Sequence, residues 1–390
     1  MEYVFTEGTA SPYDVMYDTV HAVPATPVSV AQSTLSSVTR FGYQRKLVRT
    51  SDGTLYAVYT KLLAAQYQVY VIRSVDEGAT WTDDTRISTA ANMATNLQQS
   101  SSMAVDSSDR LHIVWRGYGM GHAQPQIWYA LYDGSWHTPI RISTQALGTE
   151  VQNYPSIAVD SSDNLHVAWE GQPGTPNVLI WYTTAVPPYG ATEWVAPVVI
   201  STAGGMGTYA QYNAAITVDS NDYIHVVWRG KATGFTTHDQ IWYNKYTTSW
   251  AGPIRISTAA NMATNNQALP SIAVDSNDNL HVVWYGPATD FATNQIRYAK
   301  GVPPHAAANW VTPIRISDAL NMATNAQQFP SIAVDSSDSL YVVWHGKATG
   351  YVAQNVVWLA VYVISWATPE VLQPTGRNQY PNLRWSRWPR

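Results

Sequence analysis

The sequence predicts an all-β fold in which one four-stranded unit is repeated and the copies close into a ring. Three observations predict it: a segment that recurs about every 56 residues, four short strand signals inside each copy, and an incomplete last copy that the N-terminus completes. The segment is clearest at Pro155, where Ser156-Ile157-Ala158-Val159-Asp160 is followed by Leu165-His166-Val167-Ala168-Trp169. It returns at Ser101, Ala214, Pro270 and Pro330, and more distantly at Arg45 and Pro381, in steps of 56, 54, 59, 56, 60 and 51 residues. A period of this size carrying strand signals marks an array or ring of like units, none of which buries its apolar face alone.

The copy at 214–269 shows the elements in order. Ala215-Ile216-Thr217-Val218 is a short β-branched run, and Asp219-Ser220-Asn221-Asp222 is a turn. Ile224 to Trp228 is a second strand, Arg229 to Asp239 a long polar loop, Gln240 to Tyr246 a third strand and Pro253 to Ser257 a fourth. Thr258 to Leu269 is a second long loop leading to the next copy. No segment sustains a helical period. Four short strands per unit describe a blade of a β-propeller.

Six full copies start near residues 45, 101, 155, 214, 270 and 330, and Pro381 to Ser386 supplies only a first strand. Tyr3-Val4-Phe5, Tyr13 to Tyr17 and Thr26 to Val30 match the missing three. The expectation is therefore one domain over 1–390, a seven-bladed propeller whose last blade joins 381–390 to 1–44. Such a closure pairs strand edges that would otherwise be open.

Composition agrees. The chain is 45% hydrophobic and 13% charged, and Trp (17) and Tyr (25) far outnumber Phe (5), which suits half-buried strands. A net charge of −5 offers no basic face for nucleic acid. No apolar run reaches the roughly 18 residues of a membrane span, and the N-terminus lacks a secretory pattern. Without cysteine there is no disulfide, thiol catalysis or thiolate metal site. Low charge with many Ser, Thr, Asn and Gln suggests an extracellular, cell-surface or virion setting. No cofactor is expected, and a monomer is assumed.

The repeated polar residues read as scaffold. Asp106/Asp109, Asp160/Asp163, Asp219/Asp222, Asp275/Asp278 and Asp335/Asp338 supply too few oxygens for calcium. Gly53 occupies the place of the second Asp, which points to a left-handed turn residue. His112, His166, His225 and His281 share one strand position, so a repeated packing or hydrogen-bonding role is expected. Met93, Met262 and Met322, each within Asn-Met-Ala-Thr-Asn, should anchor the long loops.

One turn, Ser74-Val75-Asp76-Glu77-Gly78-Ala79-Thr80-Trp81, fits S-x-D-x-G-x-T-W and resembles the Asp box of sialidase-type (bacterial neuraminidase repeat) propellers. Asp133-Gly134-Ser135-Trp136 is a worn copy, and its Trp recurs at Trp194, Trp250, Trp310 and Trp366. The resemblance implies the propeller fold. Sialidase activity would need an arginine triad, a Tyr–Glu pair and an acid/base Asp. The family's aromatic-Arg-Ile-Pro motif is absent: Pro253-Ile254-Arg255-Ile256 lacks its aromatic and its Pro. Sialidases also have six blades.

Function should lie where the copies differ, on the face formed by the long loops after strands two and four. The residue after the second-strand Trp or its equivalent varies: Thr60, Arg116, Glu170, Arg229, Tyr285 and His345. A glutamine three residues before the first strand recurs as Gln98, Gln152, Gln211, Gln267 and Gln327, a candidate ring of amides for sugar hydroxyls beside Tyr154, Tyr209, Tyr212 and Phe329. Arg297 is a third blade-specific arginine, and Glu150, Asp239, Asp290 and Asp318 are further carboxylates on this face. The main expectation is a non-catalytic carbohydrate-binding or adhesive propeller whose ligand contacts are these glutamines with Arg116, Glu170, Arg229, Tyr285 and His345, and whose partner is a glycan or cell-surface protein. The alternatives are a protein-interaction or structural module and a sialidase-like glycoside hydrolase.

Overall fold

The alternation of short β-branched runs and polar turns is realised as four-stranded antiparallel sheets. The computed structural model describes residues 2–7, 13–19, 28–33, 44–119, 121–144, 149–174, 177–319, 321–348, 355–363, 365–373 and 381–383. Six sheets are built from continuous chain, spanning 47–86, 98–141, 152–199, 211–255, 268–315 and 327–373, here sheets 1 to 6. A further sheet is composite: Pro381–Leu383 pairs with Glu2–Glu7, which continues to Tyr13–Thr19 and Val28–Ser33. Phe5 stands opposite Pro381, so the termini meet as the partial repeats require. Of the expected terminal strands, Thr26-Pro27 and Arg384 to Ser386 lie outside the described residues.

First strands of successive sheets lie side by side from sheet 1 to sheet 6 and on to the composite sheet, and Val28–Ser33 lies against the second strand of sheet 1. This is a β-propeller. Two details differ from expectation. The segment after Trp228 is no loop, because the second and third strands of sheet 4 continue outward as a hairpin, Ile224–Ala232 with Phe235–Tyr246. The fourth strand shrinks to Ile254–Arg255, beyond which Ile256 N donates to Ile241 O (2.9 Å) and Ser257 Oγ accepts from Ile241 N (3.1 Å).

The core lies between sheets. Trp115, Trp169, Trp228, Trp284 and Trp344, one in each of sheets 2 to 6, are fully buried. Each removes some 200 Å² from water, worth at most about 5 kcal/mol of transfer free energy.

The turn aspartates do the work expected of them. Asp109, Asp163, Asp222, Asp278 and Asp338 take φ near +60°, and Gly53 takes +88° in the same place. Their carboxylates also bind the turn of the preceding sheet: Asp222 accepts from Ser161 N (2.8 Å) and Oγ (2.6 Å), and Asp278 from Ser220 N (2.8 Å) and Oγ (2.7 Å). The first Asp of each pair caps its own turn; in sheets 2 to 5 it also holds a histidine, and in sheet 6 Asp335 accepts the Tyr341 hydroxyl at 3.1 Å. Asp106 Oδ2 lies 3.0 Å from His112 Nε2, and His112 Nδ1 lies 2.9 Å from the Tyr129 hydroxyl. The pattern repeats at Asp160–His166–Tyr182, Asp219–His225–Tyr243 and Asp275–His281–Tyr298. A carboxylate at Nε2 fixes the proton there, so Nδ1 accepts from the tyrosine. Burial pushes His112, His225 and His281 below the ordinary histidine range. Although burial opposes it, hydrogen bonds from His112 and the Arg110 amide hold Asp106 down to about 2.

Met93, Met262 and Met322 are fully buried under their loops, whose carbonyls are gathered by third-strand glutamines. Gln240 Nε2 donates to Met262 O (2.9 Å) and Asn265 O (3.2 Å).

Candidate functional site

The second strand of each of sheets 2 to 6 carries Trp-x-Gly at or near its end, and the recurring glutamine sets that tripeptide. Gln98 Oε1 accepts from Trp115 Nε1 at 2.9 Å, and the same bond joins Gln152–Trp169, Gln211–Trp228, Gln267–Trp284 and Gln327–Trp344. Nε2 donates to carbonyls of the flanking loops, for Gln211 to Tyr209 O (3.2 Å) and Lys231 O (2.7 Å). A Cβ on Gly117, Gly171, Gly230, Gly286 or Gly346 would come within 2.4 Å of the glutamine oxygen. Gln98, Gln152, Gln211, Gln267 and Gln327 are all 0% exposed. The expected ring of ligand-binding amides is therefore corrected: these amides are consumed in bracing Trp-x-Gly. The residue x is left to vary on a fixed frame.

Directly after the glutamine, the first strand of each of sheets 2 to 6 bulges. Ser100, Tyr154, Asn213, Leu269 and Phe329 adopt φ of 57°, 49°, 58°, 51° and 55°. Left-handed backbone is costly for Leu, Tyr and Phe, and such strain gathers at binding sites. The bulge turns these residues inward. Tyr154 of sheet 3 packs against the cluster holding Leu269 and Phe329 of sheets 5 and 6, and Gln44 Nε2 bonds Ser100 O (2.8 Å) and Pro155 O (3.1 Å).

Three x residues converge. Glu170 of sheet 3 is 4% exposed, and its Oε2 accepts the Asn213 amide at 2.7 Å. Asn213 Oδ1 accepts from Arg229 Nε at 2.8 Å, and Arg229 Nη1 donates to Asp239 Oδ2 at 3.2 Å. The Arg229 guanidinium stacks 5.1 Å from the Tyr212 ring centre. Burial pushes the Glu170 carboxyl up to about 7, against the pull of the Asn213 amide and of Arg229 and Arg116 on either side. Burial, with Glu170 close by, also raises the Tyr212 hydroxyl. Among the described residues, the buried Arg116 Nε and the buried Asn153 Oδ1 have no hydrogen-bond partner. Asn153 stands opposite Glu170 in the ladder, so both belong to one spot.

The other candidates divide. His345 and Tyr285 flank Phe329, with ring centres 4.8 and 5.9 Å away. Arg297 does not join the arginine pair: Nη1 and Nη2 grip Asp290 at 2.9 and 2.7 Å. Thr60 is buried. Sequence reasoning missed Asn153 and Asn213. Their signal was weak, namely that the two residues after the recurring glutamine differ from copy to copy. No group of three or more metal-ligating side chains occurs among the described residues.

No protein-family model matches the chain, and a search of curated proteins gives no match. Among solved structures it is similar to an α-L-arabinanase of Penicillium chrysogenum complexed with arabinobiose, at 13% identity and TM-score 0.53, over 83% of this chain and 93% of that one. It is similar to the α-L-arabinofuranosidase of Fusarium graminearum complexed with arabinobiose, at 12% identity and TM-score 0.52, over 83% and 93%. An ulvan lyase bound to -[GlcA(1-4)Rha3S]- is similar at 11% identity and TM-score 0.51, over 87% and 95%. At such identities the likeness establishes the fold, the propeller that the sialidase resemblance implied. It also corrects the main expectation of a non-catalytic carbohydrate-binding or adhesive module, since these similar structures are glycan-processing enzymes.

Proposed function

We propose that this chain is a glycan-cleaving enzyme of the glycoside hydrolase type, working at the face where the second strands end. In this reading the seven sheets are the blades of one closed, single-domain ring, and the Ser74–Trp81 turn is an Asp box. Gly78 N bonds Ser74 Oγ (2.8 Å) and Thr80 N bonds Asp76 Oδ1 (2.8 Å), as a hairpin of that kind requires.

The observation that carries the reading is the Glu170 carboxyl, buried between two arginines yet pushed up to about 7. A carboxyl that keeps its proton near neutrality is suited to protonate a departing glycosidic oxygen. Asp239, paired with Arg229, is the second carboxylate that hydrolysis needs. Arg116 Nε and Asn153 Oδ1 are buried and unpaired beside Glu170, hydrogen-bonding capacity that a sugar hydroxyl entering the spot would use. Tyr285, partly exposed and backed by the buried Phe329 and His345, offers an aromatic face for an adjoining sugar unit. The partner is thus a glycan.

The test is a panel of arabinans, galactans, xylans and sulfated uronate polysaccharides incubated with the wild type and with Glu170→Gln. The expected result is release of reducing ends from at least one substrate, lost by 10² or more in the variant. No cleavage anywhere, or cleavage untouched by the substitution, refutes it. Products carrying an unsaturated uronate would reassign Glu170 to elimination.

A further inference from the structure

A cavity lies on the face opposite the Glu170 spot, and it exists because one repeated ring is missing. In four inter-sheet contacts a third-strand tyrosine lies against the hairpin tryptophan of the next sheet. The pairs are Tyr129–Trp194, Tyr182–Trp250, Tyr243–Trp310 and Tyr298–Trp366, with ring centres 4.9–5.0 Å apart. The register of sheet 1 sets Tyr59 opposite Tyr70, where sheet 2 sets Trp115 opposite Trp128. Val71 therefore stands where Tyr129 stands, and Tyr56 stands in the place of His112. Trp136 receives no tyrosine from sheet 1, and the vacated space is a cavity of about 380 Å³. That volume falls within the range of small-ligand sites.

The walls are aromatic. Tyr56 and Tyr132 have ring centres 6.3 Å apart, and Tyr132 and Trp136 5.0 Å apart, so three rings run in a row along one side. The rim is polar and planar: Arg73 Nε bonds Asp83 Oδ2 at 2.5 Å, and Asp84 accepts the Tyr59 hydroxyl and Lys61. Arg73 and Asp83 are both about half exposed, so their outer edges face solvent. A sugar ring presents an apolar C–H face and vicinal hydroxyls, which aromatic rings and planar carboxylate or guanidinium groups complement. The rim cation is already paired with a carboxylate, which disfavours an anionic sugar.

We propose that this hollow between sheets 1 and 2 binds one neutral sugar residue of a glycan chain, separately from the Glu170 site. Occupancy there would hold a polymer on the molecule without chemistry. The site stands whether or not Glu170 is catalytic.

The experiment titrates the full chain with L-arabinose, D-galactose, D-glucose, D-mannose and L-rhamnose, and with their short oligomers, followed by tryptophan fluorescence and ligand-observed NMR. The expected result is saturable millimolar binding of at least one sugar. Trp136→Ala should weaken it at least tenfold, and Glu170→Gln should leave it unchanged. Val71→Tyr restores the ring carried by sheets 2 to 5 and fills the cavity, so it should abolish binding while the protein stays folded. Absence of saturable binding by the wild type overturns the proposal, as does binding that survives Val71→Tyr or is lost in Glu170→Gln.

Discussion

Replacing Glu170 by Gln should stabilise the protein while removing its activity, and the gain should appear only as pH rises. The carboxyl is raised from 4.5 to about 7 by burial. Below pH 4.5 it is protonated in the folded and unfolded states alike, and no penalty exists. Between 4.5 and about 7 the unfolded chain releases the proton and the folded chain keeps it, so stability falls as pH rises. Above about 7 the full penalty applies, about 3 kcal/mol at roughly 1.4 kcal/mol per pH unit. Gln reproduces the neutral shape and can still accept the Asn213 amide, but it cannot ionise. The difference in melting temperature between variant and wild type should therefore be near zero at pH 4 and about 4 °C in favour of the variant at pH 8, for a chain of this length. Differential scanning calorimetry across that range measures it, and the difference cancels every titration the two proteins share. A flat difference, or a variant less stable at pH 8, would refute a buried, protonated Glu170 and with it the acid role.

Other outcomes follow from the scaffold. His112, His225 and His281 have lowered pKa values, so the unfolded chain binds more protons below about 6.5 and stability should drop as pH falls through that range. The lowered turn aspartates add a further loss below about 4, and replacing His225 by Gln should flatten the first part of a stability-against-pH curve from denaturant titrations. Gly230→Ala places a Cβ 1.9 Å from Gln211 Oε1 and should cost about 1–3 kcal/mol in urea unfolding. Asp222→Ala removes two hydrogen bonds to Ser161 in the preceding sheet and a tolerated left-handed residue, for a loss of about 1–2 kcal/mol by the same measurement.

Much of the fold was legible because the repeats could be compared with one another. Gly53 in an aspartate's place revealed the left-handed turn, and four histidines at one strand position revealed a structural role. The pairing of Phe5 with Pro381 was readable from the partial copies at both ends. The site was only half legible. Variation after the second-strand Trp picked out Arg116, Glu170 and Arg229, but residue type alone does not show that a glutamine's oxygen is spent on an indole. The recurring amides therefore looked free when they are buried. Positive φ at Leu269 and Phe329 has no local signal, since tertiary packing imposes it. The hollow beside Trp136 is written in the sequence as Val71 where other copies carry Tyr, but it acquires meaning only once the next sheet's hairpin is seen against it.

The Trp-x-Gly frame separates variation from its cost. Tryptophan, glycine and glutamine together fix a backbone that is indifferent to x, so each sheet carries one position that can change type without repacking the core. Arg, Glu, Arg, Tyr and His already occupy that position in sheets 2 to 6. The molecule thus offers five variable positions on one repeated frame, like sockets on a board. A new specificity could be reached by exchanging residues there while the tryptophan, glycine and glutamine of the frame stay in place, with Glu170, Arg116 and Arg229 exchanged as a set because they feel one another.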